Sequence, residues 1–215
     1  MTKFSFDFLS PDETSYTSFI DEIVQKLDGN VYELGVKFKG INKYRLLYKK
    51  FNLFLKDHSY DVVHINSGIL FYNLEMAYIA KKNGVNKIIV HSHNAIQYKG
   101  IKKVVFAFLK KFIPCVATDY LACSKKAAES MFPAHIIETK KYEMINNAID
   151  TSKFKYNVEV RKRLREELQL DGKFVVGHIG RFVTTKNHKF LLEIFYEILK
   201  IKSNSVLLLL GEGEY

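Results

Sequence analysis

Short apolar runs alternate along this chain with longer stretches in which apolar side chains recur every three or four positions. That alternation marks βα units around a parallel sheet. Phe4-Ser5-Phe6-Asp7-Phe8 alternates at the strand period. Ser10 to Gly29 reads as a capped helix stopped by glycine, with Ile20, Ile23, Val24 and Leu27 on one face, and Val31 to Val36 as a second strand. Tyr44, Leu47, Tyr48, Phe51, Phe54 and Leu55 follow the i, i+3, i+4, i+7 rule with lysines between them, which predicts an amphipathic helix lying on a sheet. Asp61 to Asn66 and Lys87 to His93 are strands ending in polar residues, separated by a helix over Leu74 to Lys82 that Asn83-Gly84 stops. Asp119 to Cys123 and Glu143 to Ile145 complete the strands of this half.

Asn146-Asn147-Ala148-Ile149-Asp150 interrupts the pattern, and a charged helix over Arg161 to Leu168 follows. A second series then begins, with strand Phe174 to Gly180, helix Phe190 to Ile201 and strand Val206 to Leu210. Two α/β domains are therefore expected, 1–150 and 151–215. In open parallel sheets the ligand crevice lies beyond the carboxyl ends of the strands. His64, Asn66, His91, His93, Asn94 and Ser124 all fall at such ends.

Composition narrows the class. With 47% hydrophobic residues, 26% charged and three prolines in 215 residues, the chain suits a folded globular protein. Its longest apolar run, Val206 to Leu210, has the length of a buried strand and not of a bilayer span. The opening residues, Met1-Thr2-Lys3-Phe4-Ser5-Phe6, lack a signal-peptide pattern. Cys115 and Cys123 lie outside any metal-ligand spacing, so buried free thiols in a reducing cytoplasm are expected, with no metal and no cofactor. A net charge of +10 favours anionic partners. Nucleic acid is not the expected one, because the lysines are spread over many helices and there is no zinc-ligand pattern or aromatic recognition signature.

The richest segment is Val175-Val176-Gly177-His178-Ile179-Gly180-Arg181-Phe182-Val183-Thr184-Thr185-Lys186-Asn187-His188. A strand delivers a glycine, then an arginine, then a polar loop with a lysine five residues on, then a helix. Gly180 lets a ligand approach the backbone, Arg181 offers a planar fork for phosphate oxygens, and Lys186 adds a compact cation. The helix start beyond contributes aligned N–H groups. Together these requirements describe a diphosphate site.

This segment, continued by Leu207-Leu208-Leu209-Leu210-Gly211-Glu212-Gly213-Glu214, resembles the start of the donor-binding domain of family-4 retaining glycosyltransferases. Asp61-Val62-Val63-His64, His91-Ser92-His93-Asn94, Leu121-Ala122-Cys123-Ser124-Lys125 and Asn146 to Asp150 resemble that family's N-terminal domain in the same order, and are most similar to bacterial capsule and exopolysaccharide enzymes. The resemblance implies a GT-B fold of two Rossmann-like domains across a cleft. The implied reaction transfers sugar from a nucleotide-diphosphate sugar to a growing, lipid-linked polysaccharide acceptor. It places Gly180, Arg181 and Lys186 on the donor diphosphate, His93 as the catalytic residue at the cleft floor, and His64, Asn66 and Asn94 on the acceptor side. Relative to the family, the first strand–loop–helix unit and the later Glu-x7-Glu motif are missing, so a fragment with little activity alone is expected. The alternatives are a non-catalytic or split-subunit module of polysaccharide assembly, or a GT-B-fold nucleotide-sugar epimerase.

One further helix is expected over Lys99 to Ile113. On a helical wheel Lys99, Lys103, Phe106 and Lys110 share a face, while Ile101, Val105, Phe108 and Phe112 lie elsewhere. A lysine face of this kind suits an anionic membrane, which predicts peripheral attachment to the inner face of the cell membrane.

Overall fold

The computed structural model describes residues 4–11, 24, 26, 28–36 and 43–213. The helix expected over Ser10 to Gly29 falls largely outside them; of its apolar face, Val24 is described and buried. The chain forms two compact units, Met1–Ala148 and Ile149–Tyr215.

The first unit opens with β1 (Phe8–Ser10), paired in parallel with β2 (Val31–Glu33). Phe4 and Phe6 stay exposed ahead of the strand. Pairing starts late because Asn30, just before β2, is already engaged: its backbone N–H and its side-chain amide both donate to the Asp7 carboxylate, at 2.8 and 3.0 Å. Helix α1 (Lys43–Asp57) follows, and its apolar stripe buries Leu47, Phe51 and Leu55. From the same helix the Lys50 ammonium donates to the carbonyls of Leu34 and Gly35 and so ties down the end of β2.

Four strands then form one parallel sheet in consecutive order: β3 (Val62–Asn66), β4 (Lys87–Ser92), β5 (Asp119–Ala122) and β6 (Glu143–Met144). Helix α2 (Leu70–Lys82) joins β3 to β4 and buries Met76, Ala77, Ile79 and Ala80. It begins four residues before the apolar pattern indicated, because the Ser67 hydroxyl accepts the Ile69 N–H at 3.2 Å and turns the chain early. Between β4 and β5 lie α3 (Ile101–Leu109), one 3-10 turn and the short α4 (Ile113–Val116). Two short helices that periodicity had not revealed, α5 (Lys125–Met131) and α6 (Ala134–Glu138), connect β5 to β6. Ser124 starts the first of them by accepting the Ala127 N–H at 3.2 Å, a side-chain cap.

The expected lysine face of α3 and the turn after it is packed only in part. Phe106 stacks on Tyr98 with ring centroids 3.7 Å apart, and the Lys110 ammonium donates to the Glu129 carbonyl at 2.6 Å, while Lys99 and Lys103 stay exposed. Ile101, Val104, Val105, Phe108 and Phe112 are exposed as well. One aromatic contact and one hydrogen bond hold the packed part, and a helical wheel cannot report them.

In the second unit α7 (Val158–Glu167) is capped by Asn157, whose side chain accepts the Val160 N–H at 3.0 Å. Strand β7 (Phe174–Ile179) pairs in parallel with β8 (Ser205–Leu210) from Phe174↔Ser205 to Ile179↔Leu210. Helix α8 (His188–Ile201) makes the crossover between them. The fold class is thus α/β with parallel sheets throughout, as the alternating pattern predicts.

Candidate functional site

In the first unit, the parallel register sets Asn66 opposite His91 at the carboxyl ends of β3 and β4. His64 Nε2 lies 3.2 Å from His91 Nδ1 with the rings stacked, and the His93 ring follows with its centroid 4.1 Å from that of His91. Three imidazoles therefore run in contact along the strand ends. His93 stands just past β4, where its carbonyl accepts the Cys123 thiol at 3.5 Å. Asn94 covers the loop after β3 so closely that a Cβ on Gly68 would come within 2.3 Å of the Asn94 amide, so only glycine fits there. His64, Asn66, His93 and Asn94 thus gather at one end of the sheet. Ser124, which the strand-end rule also placed there, is occupied as the cap of α5.

Burial sets the charge of this cluster. His91 is 6% exposed, and desolvation first, then the neighbouring His93 and His64, push its pKa down to about 4. His64 is lowered in the same way, by desolvation and then by His93. Both are neutral at neutral pH, and the short contact is an imidazole N–H donating to an imidazole nitrogen. The Nε2 atoms of His91 and His93 are buried with no protein partner. No group of three or more His, Cys, Asp or Glu among the described residues is placed to hold a metal ion.

A depressed histidine pKa has a definite stability sign. Above the unfolded value near 6.5 both states hold neutral His91 and nothing is lost. As pH falls from there towards about 4, the unfolded chain takes up a proton that the folded chain refuses, and stability drops. His91→Asn should remove part of that acid-side loss. Equal slopes in urea unfolding of the two proteins between pH 6.5 and pH 4 would contradict the assignment.

Two polar residues of α2 escaped sequence reasoning. Asn73 is fully buried, and its side-chain amide donates to the Ser67 carbonyl at 3.0 Å, bracing the loop beside the site. Glu75 is desolvated to a pKa of about 7, and one carboxyl oxygen has no partner. Both were visible only as polar breaks in an apolar helix.

The second unit holds the other set of predicted residues. The Gly180 N–H donates to the Leu210 carbonyl at 2.9 Å, which extends the β7–β8 ladder one step past the strands. Gly211, at φ 157, passes so close that a Cβ there would stand 1.9 Å from the Gly180 oxygen. The stem of Lys186 crosses above Gly180, 3.5 Å from where a Cβ would be. Arg181 is exposed, and neither it nor Lys186 forms a side-chain hydrogen bond or ion pair with another described residue. Asn187 precedes α8 in a left-handed conformation (φ 49, ψ 49) and places no side-chain cap on the helix.

Comparison with known proteins adds to this geometry. No protein-family profile matches the chain. Over 219 aligned residues it is 24% identical to EpsF of Bacillus subtilis (strain 168), named as a candidate glycosyltransferase, and the match spans 99% of this chain and 55% of EpsF. Among solved structures it is similar to Anabaena Alr3699/HepE in complex with UDP, at 16% identity and a TM-score of 0.67, covering 92% of this chain and 51% of that one. The same protein with UDP and glucose gives 14% identity and a TM-score of 0.68, covering 98% and 62%. With UDP-glucose the values are 14% and 0.66, covering 96% and 60%. The chain therefore spans little more than half the length of these relatives. The structural likeness establishes the fold, α/β of the GT-B type. EpsF adds a likeness to a glycosyltransferase along nearly the whole chain. No described helix is long and apolar enough to cross a membrane.

Proposed function

We propose that this chain carries part of the machinery for transferring a sugar from a nucleotide-diphosphate sugar to a saccharide acceptor. The observation that carries the reading is the pair of cations, Arg181 and Lys186, beside Gly180 and ahead of α8, neither of them with a side-chain partner among the described residues. UDP and UDP-glucose, the molecules bound to HepE, bear the diphosphate such a pair would grip. Arg181 would take two oxygens through its fork and Lys186 a third. As the sugar leaves, negative charge builds on the diphosphate, and fixed cations stabilise that charge more than they stabilise the bound ground state. His93 is assigned to the reacting sugar and His64, Asn66 and Asn94 to the acceptor. The neutral imidazole of His64 suits hydroxyl groups, to which it donates or from which it accepts. The family resemblance adds retention of configuration and a lipid-linked polysaccharide acceptor to this reading.

Calorimetry with UDP and UDP-glucose on the 215-residue chain is the test. Saturable binding that Arg181→Ala weakens by about tenfold or more supports the reading. A product consisting only of epimerised free nucleotide sugar would favour the epimerase instead.

A place at the membrane rests on α3 and the 3-10 turn after it. Their exposed stripe of Ile101, Val104, Val105, Phe108 and Phe112 is flanked by Lys102 and Lys111, and neither carries an acidic residue. That is the form of a helix lying in a bilayer interface with its apolar side down and lysines at the headgroups, which would place the chain on the inner face of the membrane. Replacing both Val104 and Phe108 with glutamate should cut co-sedimentation with anionic vesicles at least tenfold. Lys102→Gln with Lys111→Gln should weaken binding to anionic vesicles only, since each lysine near such a surface contributes about 1 kcal/mol. Undiminished pelleting of the glutamate variant would end the proposal.

A further inference from the structure

The loop that leaves β4 after His93 closes over a cavity of about 340 Å³, near the lower end of the ~300–1,000 Å³ usual for small-molecule sites. The loop forms one side, α3 with the turn after it a second, and α5 the third. The Ser130 hydroxyl donates to the Asn94 carbonyl at 2.7 Å and fastens the loop to α5, while Tyr98 of the loop stacks on Phe106 of α3. Three lysines, Lys103, Lys110 and Lys126, line the space against one acidic residue, Glu129.

The charges of this lining do not balance. The Glu129 carboxylate lies 3.9 Å from Lys125, which is not part of the lining. The half-buried Lys110 ammonium donates to the Glu129 carbonyl, an acceptor without net charge. Burial lowers the Lys110 pKa, and the Glu129 carboxylate offsets only part of that effect. None of the three lysines forms an ion pair with another described residue, and the Gln97 side-chain amide on the same lining has no hydrogen-bond partner among them. An ammonium drawn out of water without a counter-charge is costly, and an anion in the cavity removes that cost.

We propose that this cavity holds a phosphate group carried by the saccharide acceptor. A phosphate ester bears about −1.5 to −2 charge and three strong acceptor oxygens, which answers three lysine donors together. A carboxylate, with one charge and two oxygens, would leave most of the excess positive charge unanswered. Lysine suits the task, because a compact ammonium needs no planar match to its partner. The location points to the acceptor: Ala95 of the lining lies two residues past His93, so at most about 7 Å of backbone separates the cavity from the residue assigned to the reacting sugar. That assignment to the acceptor rests on the sugar-transfer reading.

The experiment follows the amide NMR signals of the full 215-residue chain during separate titrations with glucose 1-phosphate, inorganic phosphate and UDP. Glucose 1-phosphate should give saturable shifts at Gln97, Lys103 and Lys126. Lys110→Gln and Lys126→Gln should each weaken that response at least tenfold, the loss of one hydrogen bond to a charged group. Lys126 is exposed and has no ion-pair partner among the described residues, so its variant keeps the fold. Absence of saturable shifts with glucose 1-phosphate, or an undiminished response in Lys126→Gln, overturns the proposal. A response to inorganic phosphate alone would make the cavity a free-ion site and also overturns it. So does pelleting with phosphatidic-acid vesicles that Lys126→Gln abolishes, if glucose 1-phosphate gives no response. UDP shifts over residues 180–188 report the diphosphate grip separately. Their absence counts against the donor side of the sugar-transfer reading, while absence of shifts at the cavity alone counts against the phosphate site.

Discussion

Arg181→Ala will lower affinity for UDP and UDP-glucose by about tenfold to a hundredfold, the equivalent of roughly 1.5–3 kcal/mol for hydrogen bonds to a charged group. The size follows from the surroundings of Arg181. It is exposed and has no acidic partner among the described residues, so removing it leaves no stranded charge behind. Arg181→Lys should recover part of the loss, because lysine keeps the charge but not the two-pronged fork. Lys186→Ala should act in the same direction, with the folded state unharmed, since its stem only lies across Gly180. Titration calorimetry gives all three values. Affinity unchanged in Arg181→Ala would remove the diphosphate assignment, and loss of binding together with loss of the β-sheet circular dichroism signal would show a folding effect instead.

Phe132→Ala will destabilise the first unit by about 3–5 kcal/mol, the usual range for deleting a fully buried phenyl ring. Phe132 is 2% exposed and meets Tyr120 edge-on, with ring centroids 5.5 Å apart. Tyr142 lies on its other side at 6.5 Å. The ring thus pins the α5–α6 connection to β5 and to the segment entering β6. Urea unfolding monitored by tyrosine fluorescence measures the loss, and a cost below about 1 kcal/mol would mean that the neighbours close the cavity. Such a loss is a large share of the 5–15 kcal/mol that holds an ordinary domain together.

Phe132 also marks the limit of what the sequence discloses. Helices α5 and α6 have 7 and 5 residues, too short for a helical period to emerge from the pattern. The long α1 and the strands β3 and β4 were legible because their apolar positions repeat over enough residues to be distinguished from chance. Gly180, Arg181 and Lys186 could be grouped in advance because they lie within one short loop. His64 and His91 lie 27 residues apart, and their contact depends on the register of β3 against β4. Strand-end position suggested both residues, but a slip of one step would have turned the rings to opposite faces.

The consecutive order β3-β4-β5-β6 bears on the chain while it is still being made. After β3, each strand of this sheet pairs with the one that left the ribosome just before it, some 22–30 residues earlier. No strand of this sheet has to wait for a later one to separate its neighbours. Ribosomes add about 5–20 residues per second, so each new strand finds its edge exposed within a few seconds. For this half of the molecule, the order of synthesis can also be the order of assembly.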